Sequence, residues 1–586
     1  MPKSLRSAHF CRYLIALAVC VASYTYWRVL KQQGSSLRAM SVSTAQLPRL
    51  LNTSLFELRK ALDSGAITSY DLVKIYLKRI DEVNTEINAI SQVNKDALAI
   101  ARVLDKERSS GQLRGELHGI PFLIKNIFIT KDELCTTAGF SGLIDTESLV
   151  ESTAVTKLRT AGAVLLGVAS GSQWSYSRAA GKAPNGWSAT GGHIRGIFHT
   201  NQDPLGSTTG PCLAVALGLS PFALGAETSG SIAAPARVAG VVGIKPTSGL
   251  VSRHGVFMWD ERQDSVGVIA KSVEDAAIVL TIIAGSDAAD PYSIHHPLDE
   301  DKYQRPKNLW EEAQNVSIEG LRIGIPRHCM KRDSFVMEKF EESLSVLRSL
   351  GAQIVDPVQF KEWNLQYSKD NPDEWRLAQR VSLARNMAKF LQMFAPNAHN
   401  LETLADVMKY TTETPEECFA AYGMRDFEAA LQAFEEYKAE PENYERSLAR
   451  RARIGKEISE LLDREDCDLL VAPSWTETTA NVGGCPQVSV PIGKYPADFR
   501  TKANTDGRLI EGPGIPIGIL FVGRRYDDAR VIAVADAFSR AAQFDTNFTP
   551  LISANSDLLD LNAKRSAGNT EEAQYVSADE DSRSRI

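Results

Sequence analysis

No acidic residue precedes Glu57, whereas Lys3, Arg6, Arg12, Arg28, Lys31, Arg38 and Arg49 are all basic. Within this region the uncharged stretch Tyr13–Trp27 is 15 residues long, short of the roughly 17–25 residues of a membrane-spanning helix. It suits the apolar core of a signal peptide, with a small-residue cleavage point near Ala22-Ser23, and the acid-free, Arg- and Ser-containing composition also suits a mitochondrial presequence. Residues 1–46 are therefore expected to be a signal or anchor segment. The expected compartment is endomembrane, secreted or membrane-anchored through residues 13–27, with mitochondrial and cytoplasmic placements as alternatives. Asn-x-Ser/Thr sites at Asn52, Asn315 and Asn547 do not decide between them.

Other absences narrow the chemistry. The eight cysteines form no Cys-x-x-Cys pair, which argues against a zinc ribbon or a redox dithiol. No Gly-x-x-x-x-Gly-Lys-Ser/Thr run occurs, so a phosphate-binding P-loop is not indicated. No Gly-x-Ser-x-Gly elbow occurs, which argues against a typical α/β-hydrolase despite nine histidines. A net charge of −7 on 586 residues gives no reason to expect nucleic acid as a partner. There is no internal repeat. The tail from about Ser553 is polar and acidic and is expected to be disordered.

What is present is a long alternation of helical and strand patterns. Ser54 with Glu57, and Thr68 with Asp71, read as helix-opening capping boxes. In the second helix Leu72, Val73, Tyr76, Leu77 and Ile80 recur at helical spacing, so one face is buried. Strands are expected at 163–168, 221–224, 241–245, 321–326, 468–473, 488–493 and 515–523. Helices are expected at 152–161, 213–218, 232–239, 272–284, 335–350 and 528–542. Residues 360–465 read as polar and helical. This alternation argues for an α/β fold around a mainly parallel or mixed sheet.

Two loops of small residues stand out inside Pro204–Gly249: Gly206-Ser207-Thr208-Thr209-Gly210 and Thr228-Ser229-Gly230-Ser231. Small residues beside buried strands let backbone N–H groups approach a ligand. Upstream, Leu117-His-Gly-Ile-Pro-Phe-Leu-Ile-Lys125 reads as a turn into a short apolar strand ending in lysine. Taken alone, Ser207 is a turn serine, Ser231 a helix N-cap before Ile232, and Lys125 a strand-end lysine reaching solvent. His118 reads as ordering its turn and Cys212 as a packed small residue.

Together these segments resemble the amidase signature family, whose pattern runs GGSSGGS, GTDxGGSIRxPA, GVVGLKPTxG. Here it reads Gly206-Ser207-Thr208, then Gly225-Ala-Glu227-Thr228-Ser229-Gly230-Ser231-Ile232, then Pro235, then Gly240-Val-Val-Gly-Ile-Lys245-Pro-Thr-Ser-Gly249. The family's HGIPxxVKD places its catalytic lysine at Lys125. Trp187-Ser-Ala-Thr-Gly-Gly192 with Asn201-Gln-Asp-Pro204 is similar to the branch of fungal amidases. The likeness spans residues 47 to about 550.

The resemblance implies a large twisted mixed β-sheet flanked by α-helices on both sides, in a catalytic domain at 47–552. Residues 360–465 would form the variable substrate-side cover. It implies a metal-free, cofactor-free hydrolase that cleaves a small-molecule carboxylic amide through an acyl-serine. Ser231 would be the nucleophile, Ser207 the relay after a cis peptide bond, and Lys125 the base. Thr228, Ser229, Gly230 and Ser231 would supply the oxyanion hole. A serine needs such a base, and a lysine serves once burial leaves it neutral. The chain departs from the pattern at Asn126, Thr208-Thr209, Pro211-Cys212, Glu227 and Ala233, which leaves the three key residues intact and the substrate open. Oligomeric state is open, a homodimer included, as is membrane association through the N-terminus. The alternatives are a fatty-acid amide hydrolase-like enzyme, favoured by an apolar acyl channel in 360–465, and a catalytically silent scaffold with the same fold.

Overall fold

A computed structural model describes residues 47–299, 304–330, 333–361, 374–396, 398–473 and 477–560. The chain divides into two units, Met1–Leu47 and Pro48–Ile586, and all the described elements belong to the second. The expected signal or anchor segment, residues 1–46, lies outside the described residues. No helix among the described residues is long and apolar enough to cross a membrane.

Eleven strands form one mixed sheet. Across it lie Ile90–Val93, Val164–Ala169, Pro121–Lys125, Phe222–Glu227, Ser265–Ala270, Val242–Lys245, Gln487–Lys494, Pro516–Val522, Leu469–Ala472, Arg322–Gly324 and Gln353–Val355. Pro121–Lys125 runs parallel to both its neighbours, with Leu123 opposite Gly167 and Ala223. Phe222–Glu227 then pairs antiparallel with Ser265–Ala270, placing Glu227 opposite Ser265. All residues of these central strands are buried, as expected for strands covered on both faces. Helix Ala233–Ala239 packs over Val242–Lys245, where Gly243 faces Ala236 and Ile232. Helices Val273–Ile283 and Asp528–Ala541 pack on each other and on the sheet. The α/β class and the mixed sheet expected from the sequence are both present.

Local chemistry accounts for the helix starts. Ser54 and Thr68 make complete capping boxes with Glu57 and Asp71. Ser272 caps Val273–Ile283 by accepting from the Asp275 N–H. The helix expected from residue 213 opens earlier, at Thr209, and runs to Ala216. Pro211 sits in its first turn, where a missing N–H costs nothing, so Thr209 and Gly210 open the helix while Gly206–Thr208 stay in the loop before it.

Residues 553–560, expected to belong to the tail, pack on the folded body. Leu558 is fully buried, and the Ser556 carbonyl accepts from the Arg79 guanidinium. Satisfying that buried cation extends the ordered body past residue 552. Residues 561–586 lie outside the described residues. The 360–465 region is helical as expected, with Glu374–Leu391, Leu404–Glu413, Arg425–Ala439 and Pro441–Arg464 as its longer helices. Leu377, Ala378 and Val381 of the first of these pack against Ala433 and Tyr444.

Candidate active site

Two parallel neighbours deliver the key residues to one edge of the sheet. Lys125 ends Pro121–Lys125, and the loop after Phe222–Glu227 carries Ser231. Ligand sites in such sheets lie beyond the carboxyl ends of the strands. Ser207 enters from the loop before helix Thr209–Ala216. Thr208 fixes this loop to the other: its N–H donates to the Ser231 carbonyl at 3.0 Å and its hydroxyl to the Ala226 carbonyl at 3.0 Å.

The three side chains meet in series. Lys125 Nζ lies 2.7 Å from Ser207 Oγ, and Ser207 Oγ lies 3.0 Å from Ser231 Oγ. Lys125 and Ser207 are fully buried, while Ser231 is 8% exposed. The buried end of the series is thus the lysine and the accessible end is Ser231. The Gly206–Ser207 peptide is cis. Burial pulls the Lys125 ammonium from 10.5 down to about 7, and the nearby carboxylates of Asp264 and Glu227 oppose that fall only in part. Lys125 therefore does not reach solvent as an ordinary strand-end lysine does.

Ser231 does not cap a helix. Glu227 takes that role, its Oε2 accepting from the N–H groups of Ile232 at 2.7 Å and Ala233 at 3.0 Å. The carboxylate thereby satisfies two N–H groups at the start of Ala233–Ala239, and the Ser231 hydroxyl is left to Ser207. Gly230 holds the left-handed conformation, φ 75°, that turns the chain between Ser229 and Ser231. Among the described residues no acceptor pairs with the backbone N–H groups of Thr228, Ser229, Gly230 or Ser231.

A fourth side chain, a hydroxyl not singled out from the sequence, belongs to the same cluster. Ser175 Oγ lies 3.2 Å from Lys125 Nζ. It sits in the turn Gln173–Tyr176, where Trp174, Ser175 and Tyr176 all have positive φ. Three consecutive non-glycine residues in this region are costly, and nothing in their identity announces it. Gly171 precedes the turn; a Cβ there would stand 2.6 Å from the Ser207 carbonyl oxygen and 3.2 Å from Lys125 Cε. Only glycine lets this backbone pass behind the two residues.

The helical cover reaches the Ser231 loop through a polar chain. Arg451, from Pro441–Arg464, donates to Gln263 Oε1 at 2.7 Å and is paired with Asp260. Gln263 Nε2 in turn donates to the Thr228 carbonyl at 2.6 Å. Asp264, beside them, accepts from the Trp259 N–H at 2.6 Å; burial, helped by the Asp260 charge, pushes its carboxyl up to about 7. Between loop and cover lies a cavity of about 330 Å³, lined by Thr228, Ser229, Trp259, Trp375, Gln379 and Arg380 among others.

The remaining sequence readings fall outside the cluster or beside it. His118 Nε2 is 2.9 Å from the Leu104 carbonyl, and its Nδ1 accepts from the Arg114 N–H at 3.2 Å, so it orders its turn. Cys212 is buried, with its thiol pushed well above the usual range by burial.

Comparison with known proteins finds similarity along most of the chain. Residues 71–480 match the family model described as Amidase. A protein of Arthroderma benhamiae named "Putative amidase" is 34% identical over 533 residues, covering 86% of this chain and 88% of its own. A protein of Arabidopsis thaliana named as a probable amidase is 31% identical over 519 residues, covering 86% of this chain and 93% of its own. The solved structure of the native peptide amidase of Stenotrophomonas maltophilia superposes with a TM-score of 0.72 at 30% identity, covering 84% of this chain and 97% of its own. The chain belongs to the amidase signature family of amide-hydrolysing enzymes.

Proposed function

We propose that this chain hydrolyses a carboxylic amide to a carboxylate and ammonia or an amine through an acyl-serine at Ser231. The observation that carries the reading is the buried series Lys125–Ser207–Ser231, at 2.7 and 3.0 Å. With its ammonium pulled down to about 7, Lys125 holds a substantial neutral fraction at neutral pH and can accept a proton. Ser231 Oγ attacks the amide carbon as its proton moves to Ser207 Oγ and the Ser207 proton moves to Lys125 Nζ. The same relay then returns a proton to the amide nitrogen. The C–N bond breaks, the amine departs, and the acyl group stays on Ser231. Water, deprotonated through Ser207 and Lys125, hydrolyses that ester.

The negative oxygen formed in each half needs donors fixed in advance. The N–H groups of Thr228, Ser229, Gly230 and Ser231 are available for it. Loss of one such donor from an acyl-transfer site costs about 2.7–4 kcal/mol. Gln263 on the Thr228 carbonyl holds this loop without using its N–H groups.

The test is turnover of short aliphatic, aryl, long-chain and peptide amides by the wild type, Ser231→Ala and Lys125→Ala. Loss in both variants supports the mechanism. Absence of turnover on every amide, with no fluorophosphonate labelling at Ser231, leaves the silent-scaffold reading instead.

A further inference from the structure

The cavity beside Ser229 is ringed by cations on a chain whose net charge is −7. Arg376, Arg380 and Arg425 line it against a single carboxylate, Asp426. That carboxylate is engaged: it accepts from the Ala180 N–H at 2.8 Å and pairs with Arg425 at 3.4 Å. Arg376 is exposed, its guanidinium 5.3 Å from the Trp375 ring centre. Arg425 is exposed and anchored to the Ala180 carbonyl at 2.9 Å.

Trp375, which also lines the cavity, is 7% exposed. The cavity therefore has aromatic walls in Trp259 and Trp375 and guanidinium groups in its lining, a set that complements a carboxylate.

We infer that the amide cleaved here carries a carboxylate on its acyl side, received by this cavity. The inference rests on the amide-hydrolase reading above. Thr228 and Ser229 bring the cavity to the Ser231 loop, and the acyl side is assigned to it as the part of the substrate that stays bonded to Ser231 when the amine leaves.

The experiment compares kcat/KM of the full chain on succinamate and glutaramate with that on butanamide and pentanamide, at low and high salt. Exposed ion pairs are individually weak, so two guanidiniums together should give the carboxylate amides about a tenfold advantage. Salt should erode it, and the ratio should fall in Arg376→Gln/Arg425→Gln. Equal rates on the two classes, or faster neutral amides, with turnover still abolished by Ser231→Ala, overturn this inference and leave the mechanism standing. No turnover of any amide overturns the underlying reading as well. The salt comparison uses the wild-type protein alone, so it does not depend on the variants folding.

Discussion

Glu417 in the helical cover accepts from the Gln173 side-chain amide at 2.7 Å, tying the cover to the turn that presents Ser175 to Lys125. The carboxylate is fully buried. It also accepts from the Ser141 N–H at 2.9 Å and hydroxyl at 2.6 Å, and pairs with Arg178 at 3.2 Å. The region that the sequence marks as variable thus helps to build the floor of the site.

Removing one partner of that pair leaves a buried guanidinium uncompensated. Glu417→Ala is expected to destabilise the fold by about 3–5 kcal/mol. Denaturant unfolding of wild type and variant checks this; a change within about 0.5 kcal/mol would mean the pair is not buried as described.

The pH dependence follows from Lys125. Below about 7 it carries its proton and cannot act as base. The rate kcat/KM should therefore rise with pH and level off above about 7, falling nearly tenfold per unit on the acid side. Lys125→Ala should lose about 10²–10⁴-fold, and Lys125→Arg should not restore activity, because arginine keeps its proton. A profile flat between about pH 5 and 9 contradicts the assignment.

Ser175 tests whether the second hydroxyl matters. As acceptor to the Lys125 ammonium it favours the charged form, so Ser175→Ala should move the acid limb to lower pH, by under about one unit. Ser207→Ala should instead abolish turnover, because Ser207 carries the proton between Ser231 and Lys125. An unmoved limb in Ser175→Ala would reduce Ser175 to a packing residue.

Gly171→Ala places a methyl against the Ser207 carbonyl oxygen, 2.6 Å away. The backbone of one or the other must shift. Displacements of about 1 Å cost on the order of 10²-fold in rate, so kcat should fall about that much while far-UV circular dichroism stays unchanged. Wild-type kcat would show that the site relaxes around the methyl.

Much of this site is legible in the sequence because it is written locally. Lys125, Ser207 and Ser231 stand in ordered motifs, and the helix starts at Ser54, Thr68 and Ser272 follow from capping side chains. What escapes is long-range or conformational. Ser265–Ala270 lies at the centre of the sheet, yet its short apolar run is broken by Gly267 and directly follows Asp264. The Arg451–Gln263 contact joins residues 188 positions apart, which no local pattern encodes. The left-handed turn at Trp174–Tyr176 contains no glycine to mark it. Glu227 reads as a conservative change, and only the structure shows it capping the helix that Ser231 leaves uncapped.

The most direct test of the acyl-serine mechanism is reaction of the full chain with a fluorophosphonate, located by peptide mass spectrometry. The expected result is a single adduct on Ser231, absent from Ser231→Ala and formed at least about 10²-fold more slowly in Lys125→Ala. An adduct on another residue, or equal labelling with and without Lys125, contradicts it.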